Sequence, residues 1–404
     1  MYTKAMRIGL VGGGSGGHFY PLMAVVESLR EKYPAADLHL YYFGPTPYDA
    51  EQLKRHNIQF VKILAGKSRL YSSIENYFDI FKVLWGIFVA LLKLPIYYPD
   101  VIFSKGSYTA YPVLLAAWIL RIPVVQHDSD TVPGRVSIKF AKYARLIACS
   151  WTEGANYFLN TLKVPEVKLN VTGLPLRRAL NPIHKTAHTP NTPKHFPFIK
   201  KSLPLITVMG GSQGSQNINE AIMAALPQIL PFAQVIHQTG KYNFEIVKHT
   251  TDAMFKEEDL LEQKVGNKNE HDLPELKKNY FIKDFFNESE MREIYENSSI
   301  IVTRAGSSQI MEAFAFGIPT VLIPIREEVS RDQTKNAFAA MRRGAGIVIE
   351  EKNLTPHILQ NELVKMLQDT AALARMSASA RESATFDAAP RIAHILLRFC
   401  KSHL

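Results

Sequence analysis

A histidine closes a glycine-rich loop near the start of this chain. Gly12-Gly13-Gly14-Ser15-Gly16-Gly17-His18 follows the apolar run Met6–Val11 and precedes Leu22, Val25, Val26 and Leu29 at helical spacing. Such a loop lets backbone approach a ligand closely, and its N–H groups, backed by a helix N-terminus, favour anionic oxygens. His18 then sets an imidazole, whose ordinary pKa is about 6.5, beside a phosphate-type turn. A plain strand-to-helix turn would need only the glycines. A second loop of the same kind weighs against that reading. Leu205–Met209 is a β-branched apolar run, Gly210-Gly211-Ser212-Gln213-Gly214-Ser215 follows it, and Ile218, Ile222 and Ala225 mark the next helix.

A third constellation lies further on. Ile300–Thr303 reads as a strand, Arg304-Ala305-Gly306-Ser307-Ser308-Gln309 as the turn at its carboxyl end, and Ile310-Met311-Glu312 as the helix that continues it. Glu312 is four residues after Ser308, so both lie on one helix face. A carboxylate there can accept hydrogen bonds from both ribose hydroxyls while the turn's N–H groups meet phosphate. Gln333, beside Asp332, offers an amide suited to sugar hydroxyls, although a lone glutamine is as readily a solvated one.

These residues need strands to hold them. Leu38–Phe43, Val101–Phe103, Val124–His127 and Leu146–Cys149 read as short buried strands between helical segments. Residues 114–125 echo 310–321, each a small-residue helix, an Ile-Pro turn and a strand. The expected architecture is α/β with two doubly wound, Rossmann-like domains facing a central cleft. The boundaries expected are an N-terminal domain over 1–180, a proline-rich exposed linker over 181–204 and a C-terminal domain over 205–385. Residues 252–278 read as an elaborated polar loop with helical pieces, and the last helix, within 386–404, carries an apolar face to pack back on the first domain.

Composition agrees with two cores. The chain has 404 residues, 47% hydrophobic and 21% charged. Two cysteines, Cys149 and Cys400, make neither a disulfide framework nor a four-ligand zinc site, which fits a reducing compartment. No secretory signal precedes the first strand. The net charge of +10 suits an anionic substrate or membrane surface. No nucleic-acid-binding motif accompanies it, so no nucleic-acid partner is expected.

Val83–Leu92 is uncharged and bounded by Lys82 and Lys93. A spanning helix needs about 20 predominantly apolar residues, so this run reads as too short to cross. Phe81, Trp85 and Phe88, with Tyr77 and Phe78, suit an interfacial helix, and a buried core helix fits the length equally well.

Taken in order, Gly-Gly-Ser15-Gly16-Gly17-His18, Gly106-Ser107-Tyr108, His127-Asp128-Ser129-Asp130, Gly173-Leu174-Pro175-Leu176-Arg177, Gly-Gly-Ser212, Arg304 through Glu312 and Asp332-Gln333 resemble the MurG family. These are GT-B enzymes of glycosyltransferase family 28. The resemblance runs from residue 7 to about residue 397. It implies inverting transfer of N-acetylglucosamine from UDP-N-acetylglucosamine to the C4 hydroxyl of lipid I, giving lipid II for peptidoglycan synthesis. The implied setting is peripheral, on the cytoplasmic face of the bacterial cell membrane. By position, Ser15, Gly16 and Gly17 fall on a donor-binding loop and His18 on the proposed base. Arg177 and Ser212 fall near the diphosphate, and Asp130 near the sugar. Ser307, Ser308, Gln309, Ile310, Met311 and Glu312 match the uridine and ribose element, Phe286 a residue flanking the uracil, and Gln333 the reader of sugar hydroxyls. No metal cluster is visible and basic groups can replace one, so neither metal nor other cofactor is expected.

Three of these motifs depart from the family pattern. His127-Asp128-Ser129-Asp130 stands where His-Glu-Gln-Asn is usual, Leu174 where an asparagine precedes Pro175, and Ser107 where a second glycine precedes Tyr108. These bear on the acceptor side, and they keep two rivals open: a GT-B transferase using another lipid such as a diacylglycerol, and a sugar-nucleotide epimerase.

Overall fold

The computed structural model describes all residues except 1–4, 34–37, 67–74, 185–194, 201, 212–213, 266–275, 326–332 and 402–404. The chain divides into two compact units, Met1–Arg178 with Thr385–Leu404, and Ala179–Ala384.

The first unit is built on seven parallel strands: β1 (Met6–Val11), β2 (Leu38–Gly44), β3 (Ile58–Lys62), β4 (Val101–Ser104), β5 (Val124–Asp128), β6 (Leu146–Cys149) and β7 (Leu169–Val171). Their order is β3-β2-β1-β4-β5-β6-β7. Strands buried on both faces read as continuous apolar runs, as Val101–Phe103 does. The short strands β3 and β7 are interrupted by polar residues, Gln59 and Asn170, and do not stand out in sequence. The helix Gly16–Lys32 buries Leu22, Val25, Val26 and Leu29 on one face of the sheet. The C-terminal helix Ala388–Lys401 packs beside it, with Ile392, Ala393, Leu396 and Cys400 in the same core.

The second unit repeats the plan with six parallel strands: β8 (Leu205–Met209), β9 (Gln234–Gln238), β10 (Tyr280–Lys283), β11 (Ser298–Thr303), β12 (Thr320–Leu322) and β13 (Gly346–Val348). The order is β10-β9-β8-β11-β12-β13. In each sheet the winding therefore reverses beside the first strand, between β1 and β4 and between β8 and β11. Ligands of such sheets sit at the carboxyl ends of the strands at that point.

One expectation needs correction here. Within 181–204, expected to be exposed, Phe196 is buried with Phe281 and Phe286, and Glu293 accepts from the N–H groups of His195 and Phe196. Aromatic residues among the prolines gave this stretch something to bury. The helical pieces expected within 252–278 include the end of one continuous helix, Phe244–Val265.

The uncharged run 83–92 is the middle of a 23-residue helix, Glu75–Tyr97. Its segment Asp79–Tyr97, 19 residues with mean hydropathy 1.8, is long and apolar enough to cross a membrane. Length thus does not exclude a span. A lysine ends an uncharged run but not a helix; this one stops only where Tyr98 takes a φ of 44° before Pro99. Packing separates its two faces. Ala90 and Leu94 are fully buried, and Gly86 lies so close to the Leu64 carbonyl that a Cβ would come within 1.9 Å of it. The opposite face exposes Phe81, Leu84, Trp85, Phe88, Leu92 and Ile96, from 52% at Phe88 to 74% at Ile96. The helix is both core and surface.

Candidate functional site

In the first unit, the carboxyl ends of β1 and β4 feed two adjacent loops. The ladder continues past the strands, with Lys105 N–H donating to the Val11 carbonyl at 2.9 Å. Gly12 has a φ of +143°, and a Cβ on it would sit 2.8 Å from that of Lys105, so this close approach requires glycine. The Tyr42 hydroxyl donates to the Gly12 carbonyl at 3.1 Å and the Ser107 hydroxyl to the Gly13 carbonyl at 2.8 Å. The helix then starts at Gly16, with Ser15 as N-cap making no side-chain cap bond. First-turn N–H groups without a side-chain cap suit an anion.

His18 is half-buried in that first turn, its Nδ1 3.0 Å from the Lys105 carbonyl. A carbonyl can only accept, so Nδ1 carries the proton and Nε2 is the basic nitrogen. Beneath this pair lies a buried polar group in which Lys105, not singled out from the sequence, joins two residues of the His127–Asp130 motif. Lys105 Nζ donates to His127 Nδ1 at 2.6 Å and to the Ser129 hydroxyl, while His127 Nε2 donates to the Gly173 carbonyl at 3.0 Å. Burial pushes the Lys105 ammonium down to about 8, with Asp128 and Asp130 opposing. Burial, and then the Lys105 charge, hold His127 well below the ordinary imidazole value, so it stays neutral. Asp128 accepts from the N–H groups of Asp130 and Gly134, both at 3.1 Å, and so shapes the loop that carries half-buried Asp130. The Arg177 guanidinium lies 4.1 Å from the centre of the Tyr20 ring. Leu174 is buried.

In the second unit, β8 leads into the second glycine loop and β11 into Arg304–Gly306. Arg304 joins these loops, donating to the Ser215 hydroxyl and pairing with Glu351 at 2.8 Å. The helix Ser307–Phe316 follows, with Gly306 as N-cap and no side-chain cap bond. Ser308 and Glu312 are half-buried on one face, and the buried Tyr295 hydroxyl donates to Glu312 Oε2 at 2.8 Å. Tyr295 was missed by sequence reasoning because it comes from a different helix, Glu288–Asn297. Gln309 is half-buried, whereas Ile310 and Met311 turn their side chains into the core and present no polar side-chain atom to a nucleotide. Gln333 Oε1 accepts from Ile325 N–H at 3.3 Å, which leaves the amide N–H₂ as the group it can donate.

Two expected site residues stand differently. Ser212 lies outside the described residues. Phe286 is only 1% exposed, packed with Phe196 and Phe281, so its ring is not available to flank a base; its neighbour Phe285 is the exposed ring of that turn. A single step along an irregular turn reverses which ring faces inward. Among the described residues, no three His, Cys, Asp or Glu side chains gather as metal ligands would.

Two such sheets, each carrying glycine or helix-start loops at its switch point, define the GT-B class of sugar-nucleotide folds. The solved structure of Acinetobacter baumannii MurG shares this fold, with a TM-score of 0.67 at 20% identity over 98% of this chain and 99% of that one. A UDP-GlcNAc 2-epimerase from Neisseria meningitidis shares it too, with a TM-score of 0.65 at 14% identity over 97% of this chain and 100% of that one. Sequence divides these two. The chain matches the glycosyltransferase family 28 N-terminal domain over residues 8–149 and the family 28 C-terminal domain over 205–392. It is 32% identical to a UDP-N-acetylglucosamine–N-acetylmuramyl-(pentapeptide) pyrophosphoryl-undecaprenol N-acetylglucosamine transferase of Lachnospira eligens, over 90% of this chain and 91% of that protein. A transferase of the same name from Legionella pneumophila is 31% identical over 88% of each. The chain belongs to glycosyltransferase family 28.

Proposed function

We propose that this protein transfers N-acetylglucosamine from UDP-N-acetylglucosamine to the C4 hydroxyl of undecaprenyl-pyrophosphoryl-MurNAc-pentapeptide, lipid I, to give lipid II. The transferase relatives support the substrates. The observation that carries the chemistry is the His18 imidazole, bound through Nδ1 to the Lys105 carbonyl so that Nε2 is the base.

In the transfer, Nε2 takes the proton of the acceptor hydroxyl as its oxygen bonds to the anomeric carbon. The bond to UDP breaks on the opposite side, its electron pair leaves with the diphosphate, and the centre inverts. General-base help of this kind is worth about 10²–10⁴ in rate. Charge growing on the diphosphate is met by the glycine-loop N–H groups, the start of the Ser307–Phe316 helix and Arg177. Glu312 accepts from the ribose hydroxyls, and the Gln333 amide donates to the sugar. Asp130 is a half-buried carboxylate, and we assign it to the donor, in contact with the sugar hydroxyls.

The exposed face of the Glu75–Tyr97 helix supports a peripheral membrane position, which we assign to the cytoplasmic face of the bacterial cell membrane. Its aromatic side chains suit an interface, and its buried face, Gly86, Ala90 and Leu94, keeps the helix on the domain rather than across a bilayer. Trp118, 47% exposed on the neighbouring helix, with Lys139 and Lys142 would extend that surface toward anionic lipid.

The test is to supply labelled UDP-N-acetylglucosamine with lipid I, with diacylglycerol, or with no acceptor. Label appearing in the lipid I product supports the proposal. Label in diacylglycerol would indicate another lipid acceptor, and epimerised nucleotide sugar without acceptor would indicate the epimerase chemistry.

A further inference from the structure

Ser107 has a φ of 71° and ψ of 159°. That region of backbone space is essentially glycine's own, because an L side chain there meets its own peptide groups. A glycine would sit at this position without strain, so something must hold a serine there. Its hydroxyl donates to the Gly13 carbonyl at 2.8 Å, across 94 residues of sequence, and its carbonyl accepts from Ala110 N–H at 3.2 Å.

The hydroxyl bond has a directional effect. In a trans peptide the carbonyl and the next N–H point in opposite directions. Drawing the Gly13 carbonyl toward Ser107 therefore turns the Gly14 N–H away from it, at a residue that is exposed. Tyr42 acts in the same sense on the Gly12 carbonyl and the Gly13 N–H. Two residues before Ser107, the Lys105 carbonyl holds His18 Nδ1 at 3.0 Å. The three-residue segment Lys105–Ser107 thus touches the glycine loop at one end and the imidazole at the other.

We propose that Ser107 is a positioning residue for the transfer step, its hydroxyl locking the Gly13–Gly14 peptide so that the loop's N–H groups and the His18 ring are set against one segment. The inference rests on His18 being the base. The backbone strain at Ser107 is the cost of keeping a hydroxyl where glycine fits better.

The experiment compares Ser107→Gly, Ser107→Ala and His18→Ala for melting temperature, UDP affinity and steady-state kinetics on lipid I. Ser107→Gly relieves strain and removes the hydroxyl, so it should melt at or above the wild-type temperature. Its kcat should still fall about tenfold, the rate equivalent of one lost hydrogen bond, with KM for the sugar nucleotide nearly unchanged. Ser107→Ala keeps the strain and loses the bond, so it should lose a similar kcat and melt lower. A serine that only supports the fold predicts that activity follows stability, with Ser107→Gly as active as wild type. That result, alongside an inactive His18→Ala, overturns the positioning role and leaves the base intact. Wild-type turnover in His18→Ala overturns the base reading and the inference with it.

Discussion

The Tyr295 hydroxyl donates to Glu312 Oε2 at 2.8 Å, tying the Glu288–Asn297 helix to the helix that follows the Arg304–Gly306 loop. Tyr295 is 2% exposed and its ring rests 5.3 Å from that of Phe316, so the donor is fixed before any ligand arrives. One carboxylate oxygen is thereby held, which sets how the group meets a ribose. Tyr295→Phe should weaken UDP binding by about 1 kcal/mol and Glu312→Gln by about 1–3 kcal/mol, less than additively when combined. Calorimetry finding wild-type affinity in Glu312→Gln would remove the ribose role.

His18→Ala should lower turnover by about 10²–10⁴ and leave donor affinity nearly intact, because the imidazole acts on the acceptor hydroxyl in the transition state. Single-turnover rates with bound donor measure this directly. If the variant keeps near-normal rates, Asp130 becomes the candidate base.

Lys105 makes stability depend on pH in a definite sense. Its folded value of about 8 lies below the 10.5 of an unperturbed lysine, so between these values the unfolded chain binds more protons than the folded one. The penalty of a buried ammonium is therefore full below pH 8 and relieved as pH rises toward 10.5. Denaturant titrations of wild type and Lys105→Met should give a difference curve in which wild type gains on the variant across that window. A flat difference would mean that the ammonium is solvated in the folded protein.

The Glu75–Tyr97 helix should respond differently on its two faces. Replacing Trp85 and Phe88, both more than half exposed, by serine should reduce binding to anionic liposomes and activity on full-length lipid acceptor. Activity on a short-chain soluble acceptor should hold. Gly86→Val should instead destabilise the domain by about 1–3 kcal/mol or more, since its side chain meets the Leu64 carbonyl. Equal losses on both acceptors for the Trp85 and Phe88 variant would place the membrane contact elsewhere.

The strands and glycine turns were legible because their signals are local. Short apolar runs, two of them followed by glycine loops, need no distant partner to be recognised, and Val101–Phe103, Val124–His127, Leu146–Cys149 and Leu205–Met209 all lie within observed strands. The short strands β3, β7 and β13 were not legible, because they are stabilised by ladder pairing with neighbours rather than by their own pattern. Burial of Phe286 rather than Phe285 was equally hidden, being decided by Phe196 from a proline-rich stretch far away in sequence.

The sequence by itself determined the residue types that can do chemistry here, the two glycine loops, and the helix start that carries Glu312. It determined them because backbone permissiveness, apolar periodicity and side-chain chemistry are properties of neighbouring residues. Only the tertiary structure decided that the β4 loop lies beside the glycine loop, that Lys105 selects the tautomer of His18, that Tyr295 holds Glu312, and which face of a 23-residue helix is core. Those outcomes depend on the order in which parallel strands pair, and pairing joins residues about 90 positions apart through hydrogen bonds that no local pattern encodes.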